Sequence, residues 1–179
     1  MSETPAVSLR RFEPGDTSAV HRWFNNKNAI RTLMEERESF SEEDAARWLE
    51  RATDDSGEDR KYAIVVEGHD EPVGFTALYG LGRQLAPELG ALIGDEVRGK
   101  GIGREAERLT IERAFEDFGA HRVYGRIPAF NEPAKRVVAS LGWKHEGTMR
   151  AHISRGGELH DCEVWGVLPD EFRAATGGD

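Results

Sequence analysis

The segment best suited to chemistry is a glycine-rich stretch flanked by basic side chains: Arg98, Gly99, Lys100, Gly101, Ile102, Gly103 and Arg104. Glycine lets the main chain turn tightly and approach a ligand without a Cβ in the way. A helix is predicted to follow, and the first N–H groups of a helix lack internal partners and favour negative charge. The segment therefore predicts a phosphate-binding loop, to which Arg108 adds positive charge.

Two common phosphate loops fit this segment poorly. A Walker-type loop needs Gly-Lys followed by Ser or Thr, whereas Lys100 is followed by Gly101. A dinucleotide-binding fingerprint matches Gly101, Gly103 and Ala106, but its first glycine belongs at the tip of a strand. Here residues 94–100 separate the preceding predicted strand from Gly101, which argues against that interpretation.

A third pattern, Arg98-x-x-Gly101-x-Gly103, resembles the pyrophosphate loop of the GNAT superfamily of acyl-coenzyme A-dependent N-acetyltransferases. It follows a predicted strand that begins at Glu88 and precedes an amphipathic helix, as in that family. Residues 131–143, which begin Asn-Glu-Pro-Ala and end Leu-Gly-Trp, resemble the family's next motif. The resemblance covers about residues 8–172 and is greatest to the branch of ribosomal-protein N-terminal and spermidine acetyltransferases.

The resemblance implies acetyl-coenzyme A as co-substrate and particular roles for several residues. The amides of residues 98–104 would bind the coenzyme pyrophosphate, and pantetheine would lie along the strand that ends at Ile93, in a gap where this strand splays from strand 122–127. A main-chain N–H near Ile93 would polarise the thioester carbonyl. Asn131 matches a cofactor-contacting asparagine, and it also suits a helix N-cap ahead of Pro133.

An attacking amine needs a base, because an alkyl ammonium with a pKa of about 10.4 is mostly charged at neutral pH. Glu88 is our candidate, since it begins the strand that would carry the thioester. A solvent-facing strand-edge carboxylate is the alternative interpretation of Glu88. Glu35, Glu36 and Asp161 are further candidates.

The acid that protonates the departing thiolate cannot be carried over from the family. Many relatives have a tyrosine seven residues after the asparagine, and that position here is Val138. Tyr79, Tyr124 and Ser140 are alternatives by residue type or proximity in sequence. The thiolate could also leave unaided, or take its proton from water or the departing ammonium.

Other reactive residue types suggest no second mechanism. His160, Asp161 and Cys162 are the residue types of a catalytic triad, but neighbours on a strand point to opposite faces. Cys162 is far from the cofactor motifs in sequence, which favours direct attack over a covalent intermediate. The six histidines lack metal-ligand spacing, so we predict no metal.

Aromatic and amide residues near the N-terminus bear on the acceptor. We predict that Trp23, Phe24 and Trp48 belong to the core rather than to a pocket. By analogy with the family, Asn25, Asn26 and Arg31 are candidates for the acceptor site.

The predicted elements place the loop at the centre of an α/β domain with the GNAT fold. We expect a mixed, mostly antiparallel sheet of about six to seven strands, about four helices and a splayed central parallel pair. Asp16 is predicted to cap the first helix and Ser41 to open the second with a capping box. Residues 1–179 are expected to form one domain.

Composition limits the partners. The net charge of −9 predicts no nucleic-acid partner. The clustered acidic residues could attract a cationic acceptor, although a solvated acidic face is the preferred explanation of the clusters. No apolar run approaches the ~20 residues of a membrane helix, and the N-terminus does not read as a secretory signal. With one cysteine, the cytoplasm is the expected compartment. A homodimer is left open.

The sequence therefore predicts an N-acetyltransferase that moves acetyl from acetyl-coenzyme A to a primary amine, such as a protein N-terminus, a polyamine or a small-molecule amine. A non-catalytic acyl-coenzyme A sensor stays open because of Val138. Use of a longer acyl-coenzyme A or an aminoacyl-tRNA on the same fold is a further alternative, and the negative charge speaks against tRNA.

Overall fold

The computed structural model describes residues 5–30, 39–82 and 85–177, and over these ranges the chain forms seven strands and six α-helices. The strands are β1 (Val7–Arg10), β2 (Arg60–Val66), β3 (Gly74–Tyr79), β4 (Glu88–Ile93), β5 (Val123–Pro128), β6 (Lys144–Arg155) and β7 (Glu158–Val167). The helices are α1 (Thr17–Asn25), α2 (Lys27–Ile30), α3 (Glu42–Thr53), α4 (Ile102–Glu116), α5 (Glu132–Ser140) and α6 (Pro169–Thr176).

One sheet contains all seven strands, in the order β1-β2-β3-β4-β5-β7-β6. Every neighbouring pair is antiparallel except β4 and β5. These two parallel strands pair only at Glu88 and Tyr124, whereas β3 and β4 pair along six residues. The central parallel pair therefore separates beyond its first residue, which confirms the predicted fold and its splay.

Helices cover both faces of the sheet. On β3, Phe75 and Ala77 face the cluster that contains the buried residues of α1 and α3. Thr76 points the other way, because its hydroxyl accepts a hydrogen bond of 2.7 Å from Thr110 of α4. The splay between β4 and β5 is thus flanked by aromatic residues of α1 and α3 on one face and by α4 and α5 on the other.

Local capping explains where the second predicted helix begins. Ser41 accepts a hydrogen bond from the Asp44 N–H at 3.1 Å, and Asp44 accepts one from the Ser41 N–H at 3.0 Å, so the predicted capping box is confirmed. Asp16 precedes α1 but makes no side-chain cap, so that prediction was wrong. Its buried carboxylate is bonded instead by Arg10 and by the Glu13 N–H.

Replacing Ser41 with alanine is expected to lower the free energy of unfolding by about 1 kcal/mol, because the first turn of α3 loses its side-chain acceptor. Urea denaturation measures the change. Ser18→Ala on α1 is the matched control, since the Ser18 hydroxyl makes only an exposed 3.4 Å contact to Glu71. Equal stability of the two variants would contradict the assignment of the cap.

Two short helices were not predicted. α2 follows Asn26, whose side chain accepts from the N–H groups of Asn28 and Ala29, so the asparagine-rich stretch starts a new helix as well as ending α1. α6 follows β7 directly at Pro169. The predicted turn at residues 155–158 is present, with positive φ at both Gly156 and Gly157.

Candidate active site

The glycine-rich loop connects β4 to α4 and presents a row of unpaired main-chain donors. Gly99 and Gly101 have φ angles of 75° and 80°, which glycine adopts without strain, and Gly101 is the N-cap of α4. Among the described residues, the N–H groups of residues 99–104 have no hydrogen-bond acceptor, and the first α4 bond joins the Glu105 N–H to the Gly101 carbonyl. This is the arrangement expected of a phosphate-binding loop.

The basic side chains around the loop already have partners. Arg98 forms an ion pair with Asp95 at 3.0 Å, and Lys100 donates to the Glu96 carbonyl. Arg104 donates to the hydroxyl of Ser140 at 3.0 Å and so connects α4 to α5. Main-chain amides, rather than free positive charge, are therefore the main feature of the loop.

Two other predicted residues of this region contribute in different ways. Arg108 is bonded to Glu105 and Glu112 along its own helix, so its charge is largely neutralised. Ile102 is 1% exposed, so it can offer a ligand only its N–H. A Cβ at Gly103 would lie 3.3 Å from the Ile93 side chain, which shows how closely α4 approaches the end of β4.

A cavity of about 530 Å³ lies where the parallel strands separate. Residues 88–91 of β4 form one side and residues 125–128 of β5 the other, and Asn131, Ala134 and Val138 of α5 also line it. Ile93 is not among the residues that line the cavity. The cavity therefore exposes the facing edges of β4 and β5. In a continuous sheet, main-chain hydrogen bonds would join these two edges.

The side of the cavity that faces α1 and α3 is formed by five aromatic residues, which we call the aromatic wall: Phe24, Phe40, Trp48, Phe75 and Tyr79. The ring centroids of Phe24 and Phe40 are 4.6 Å apart, and those of Trp48 and Phe75 are 5.0 Å apart. Phe24 and Trp48 were predicted to belong to the core alone, but they both pack on the core and line the cavity. Trp23 is buried in the core, as predicted.

Glu88 lines the cavity next to the single paired position of the parallel strands. Arg126 of β5 donates two hydrogen bonds to it, at 2.8 Å from Nε to Oε1 and 3.1 Å from Nη2 to Oε2. The pair bridges β4 and β5 at the point where they begin to separate. The Glu88 side chain is 20% exposed, so this strand-edge carboxylate is partly shielded from solvent and is held by Arg126.

Asn131 and Val138 lie on the cavity side of α5. Asn131 is the N-cap of α5 and accepts a hydrogen bond from the Ala134 N–H at 3.3 Å, and it also lines the cavity. Val138 lines the cavity with an apolar side chain. The alternative acids fit less well: Ser140 is bonded to Arg104 and the Val137 carbonyl, and neither Ser140 nor Tyr124 lines the cavity. Burial raises the pKa of Tyr79 to about 12.

The three residues of triad type do not converge. Asp161 accepts a hydrogen bond from the Ala151 N–H, and His160 packs on the ring of Phe130. Cys162 is buried on β7, opposite Pro128 of β5, so it lies close to the site in space although far from it in sequence. Burial raises the pKa of its thiol, which keeps it protonated.

The predicted acceptor residues have mainly structural contacts. Asn25 bonds both the N–H and the carbonyl of Phe40, at 3.1 and 2.7 Å, and so fixes one member of the aromatic wall. Asn26 caps α2. Arg31, Glu35 and Glu36 lie outside the described residues.

Sequence analysis missed two charged residues of the site, Arg126 and Glu107.

Glu107 is the more deeply buried of the two. Its side chain lies on the inward face of α4 and lines the cavity. Its spacing contained the signal, because Thr110, Ile111 and Ala114 follow it at helical intervals and are all buried.

Within the described ranges, no three His, Cys, Asp or Glu side chains are grouped as metal ligands, and no helix is long and apolar enough to cross a membrane.

The family model and the relatives that this chain resembles are all acetyltransferases. A family model described as an acetyltransferase (GNAT) domain matches residues 7–144. Spermidine N(1)-acetyltransferase of Escherichia coli K12 is 28% identical over 176 residues, which are 97% of this chain and 92% of that protein.

Two solved structures share the fold. Spermidine N-acetyltransferase from Vibrio cholerae, in complex with CoA and spermine, has a TM-score of 0.84 at 20% identity, over 93% of this chain and 97% of its own. Ribosomal-protein-S5-alanine acetyltransferase from Vibrio fischeri has a TM-score of 0.80 at 20% identity, over 93% and 95%. The resemblance to the branch that contains both kinds of enzyme is confirmed.

The family model covers the larger part of the chain and includes both the glycine-rich loop and α5. The chain therefore belongs to the GNAT family and is an acyl-coenzyme A-dependent N-acetyltransferase.

Proposed function

We propose that this enzyme transfers the acetyl group of acetyl-coenzyme A to a primary amine by direct attack, in the cavity between β4 and β5. The observation that carries the proposal is the continuity of that cavity from the separated strand edges to the aromatic wall. Such a cavity suits two substrates that approach each other from opposite sides. Family membership supports the choice of acyl donor.

The main chain of residues 99–104 is proposed to bind the coenzyme diphosphate through its unpaired N–H groups. Pantetheine then lies along β4, where the parallel neighbour has moved away and left one strand edge without a partner. A free N–H of that edge, towards Ile93, stabilises the oxyanion that forms when the amine attacks the thioester. Asn131, which caps α5 and lines the cavity, is proposed to contact the cofactor as well.

The acceptor is proposed to enter across the aromatic wall. Aromatic faces attract an ammonium group, and an alkyl chain packs on them favourably. Glu88 is proposed as the base. Arg126 donates one hydrogen bond to each carboxylate oxygen of Glu88. Each oxygen keeps a second lone pair, which can accept a proton from the amine or from a water molecule bound to the amine. A spermidine-acetylating relative supports a primary aliphatic amine as the acceptor class.

A panel of amines tests the proposal, with release of free thiol from acetyl-coenzyme A as the readout. The panel contains spermidine, an alanine-initiated peptide and an amino sugar. We expect at least one amine to raise thiol release well above the rate without acceptor. If coenzyme A binds tightly in calorimetry while no amine in an extended panel accelerates release, the sensor alternative replaces the proposal.

Cys162→Ala is expected to leave kcat within about twofold of wild type, because the amine attacks the thioester directly and the buried thiol stays protonated. Steady-state thiol release with the best amine measures the effect. Since the variant leaves a small cavity, a thermal melt is recorded beside it. A folded variant that has lost most of its activity would indicate an acetyl-cysteine intermediate.

A further inference from the structure

Glu107 is an acidic side chain enclosed by the protein. It is 9% exposed, and its Oε2 has no hydrogen-bond partner among the described residues. An isolated buried carboxylate is unfavourable, because no solvent or partner stabilises the charge. Burial accordingly raises the pKa of Glu107 to about 8, so the group is mostly a neutral carboxylic acid at neutral pH.

Within the described part of the chain, Glu107 has no structural partner. The titratable groups that line the cavity with it there are Tyr79 of β3, Glu88 of β4 and Arg126 of β5, and the last two bond each other. The residues that α5 contributes are Asn131, Ala134 and Val138, none of which titrates. β1 also packs on α4 but contributes no residue to the cavity. A leucine or methionine would fill the same space without the unfavourable burial, so a neutral acid here calls for a chemical explanation.

We propose that Glu107 is the general acid that protonates the coenzyme thiolate as it departs. This proposal rests on the acetyl transfer proposed above. It follows from the shared cavity: Glu107 on α4 lines the same space as Val138 of α5 and as residues 88–91 of β4, along which pantetheine is proposed to lie.

In the proposed reaction, the amine loses one proton and the departing sulfur gains one. The amine nitrogen forms a bond to the thioester carbonyl carbon, and the carbon–sulfur bond then breaks with its electron pair on sulfur. The O–H of Glu107 gives its proton to that sulfur, while the proton lost by the amine passes to Glu88 or water. Glu107 regains a proton from solvent after coenzyme A leaves. A thiol with a pKa of about 8.5 is well matched to this acid, better than to the far less acidic Tyr79.

The test compares wild type with Glu107→Gln, which keeps the size of the side chain and removes the acid. We expect kcat to fall about 100-fold, while calorimetric affinity for coenzyme A stays near that of wild type. Adding Val138→Tyr to Glu107→Gln should restore much of the activity through the new hydroxyl. Adding Val138→Phe, which has the same bulk but no donor, should not.

The pH profile provides a second readout. The acid form of Glu107 is needed, so the ratio of wild-type to variant kcat should be constant at low pH and should fall as the pH rises through the pKa of Glu107. Comparing the two enzymes with the same amine cancels the ionisation of the acceptor. Wild-type kcat in the variant, or a loss with a ratio independent of pH and no difference between Tyr and Phe at residue 138, would overturn the proposal.

Thermal stability as a function of pH reports the ionisation of Glu107 independently of catalysis. A raised folded-state pKa means that the contribution of Glu107 to stability is fully present below its unfolded pKa and is lost as the pH rises towards 8. The glutamine variant should therefore melt at a higher temperature than wild type at pH 8, with a smaller difference near pH 5. Absence of amine-dependent thiol release in wild type would instead contradict the proposed function, whatever the variant does.

Discussion

Gly101→Asp is expected to lower the affinity for coenzyme A by at least about 100-fold. Gly101 is the N-cap of α4, among the unpaired N–H groups proposed to bind the diphosphate. Hydrogen bonds to a charged group contribute about 1.5–3 kcal/mol each, so displacement of the diphosphate from two of them is sufficient for this loss. Isothermal titration calorimetry with coenzyme A measures it.

Two controls separate charge from backbone strain. Gly101→Asn has nearly the same size and tolerates a positive φ, so it should bind much more tightly than the aspartate variant. Gly119→Asp makes the same substitution at a positive φ of 66°, beyond the other end of α4, with no atom near the new Cβ. It should bind coenzyme A as wild type does. Wild-type affinity in Gly101→Asp would show that the loop does not hold the cofactor.

Glu88→Gln is expected to reduce kcat/KM by a factor of about 100 to 10,000 near neutral pH, because the amine loses its base. Affinity for coenzyme A should change little, since the substitution keeps the shape of the side chain. The loss should shrink as the pH approaches the pKa of the amine, about 10, where the nucleophile is already neutral. A pH series of thiol-release rates measures both effects.

Glu71→Gln is the matched control for Glu88, since Glu71 also accepts a hydrogen bond from an arginine, Arg22, at 2.8 Å, but does not line the cavity. It should retain wild-type kinetics. If Glu88→Gln does the same, the Glu88–Arg126 pair serves only to hold β4 and β5 together and another group accepts the proton.

The loop could be predicted from sequence because its signal is local. Glycines at residues 99, 101 and 103 permit a tight turn whatever the rest of the chain does, and the helical pattern that follows them shows that they precede the N-terminus of α4. The capping box at Ser41 and the turn at Gly156 and Gly157 were predictable for the same reason.

The other features of the candidate site depend on contacts between segments that are far apart in the sequence. Nothing near Glu88 in the sequence points to Arg126, which reaches it only because β4 and β5 are parallel neighbours. The aromatic wall combines residues of α1, α3 and β3 with Phe40, so no single ring indicated in the sequence that they would line one cavity. Glu107 was hidden among the other charges of α4, and its helical spacing from Thr110, Ile111 and Ala114 was the one local sign of its burial, which Glu105 and Glu112 do not share.

A crystal structure with coenzyme A bound tests the central claim most directly. We expect the diphosphate oxygens to lie about 3 Å from several main-chain nitrogens of residues 99–104. The pantetheine chain should pass between β4 and β5, with its sulfur beside Glu107 and Val138. A cofactor bound elsewhere on the protein, with these amides in contact with solvent alone, would contradict the account.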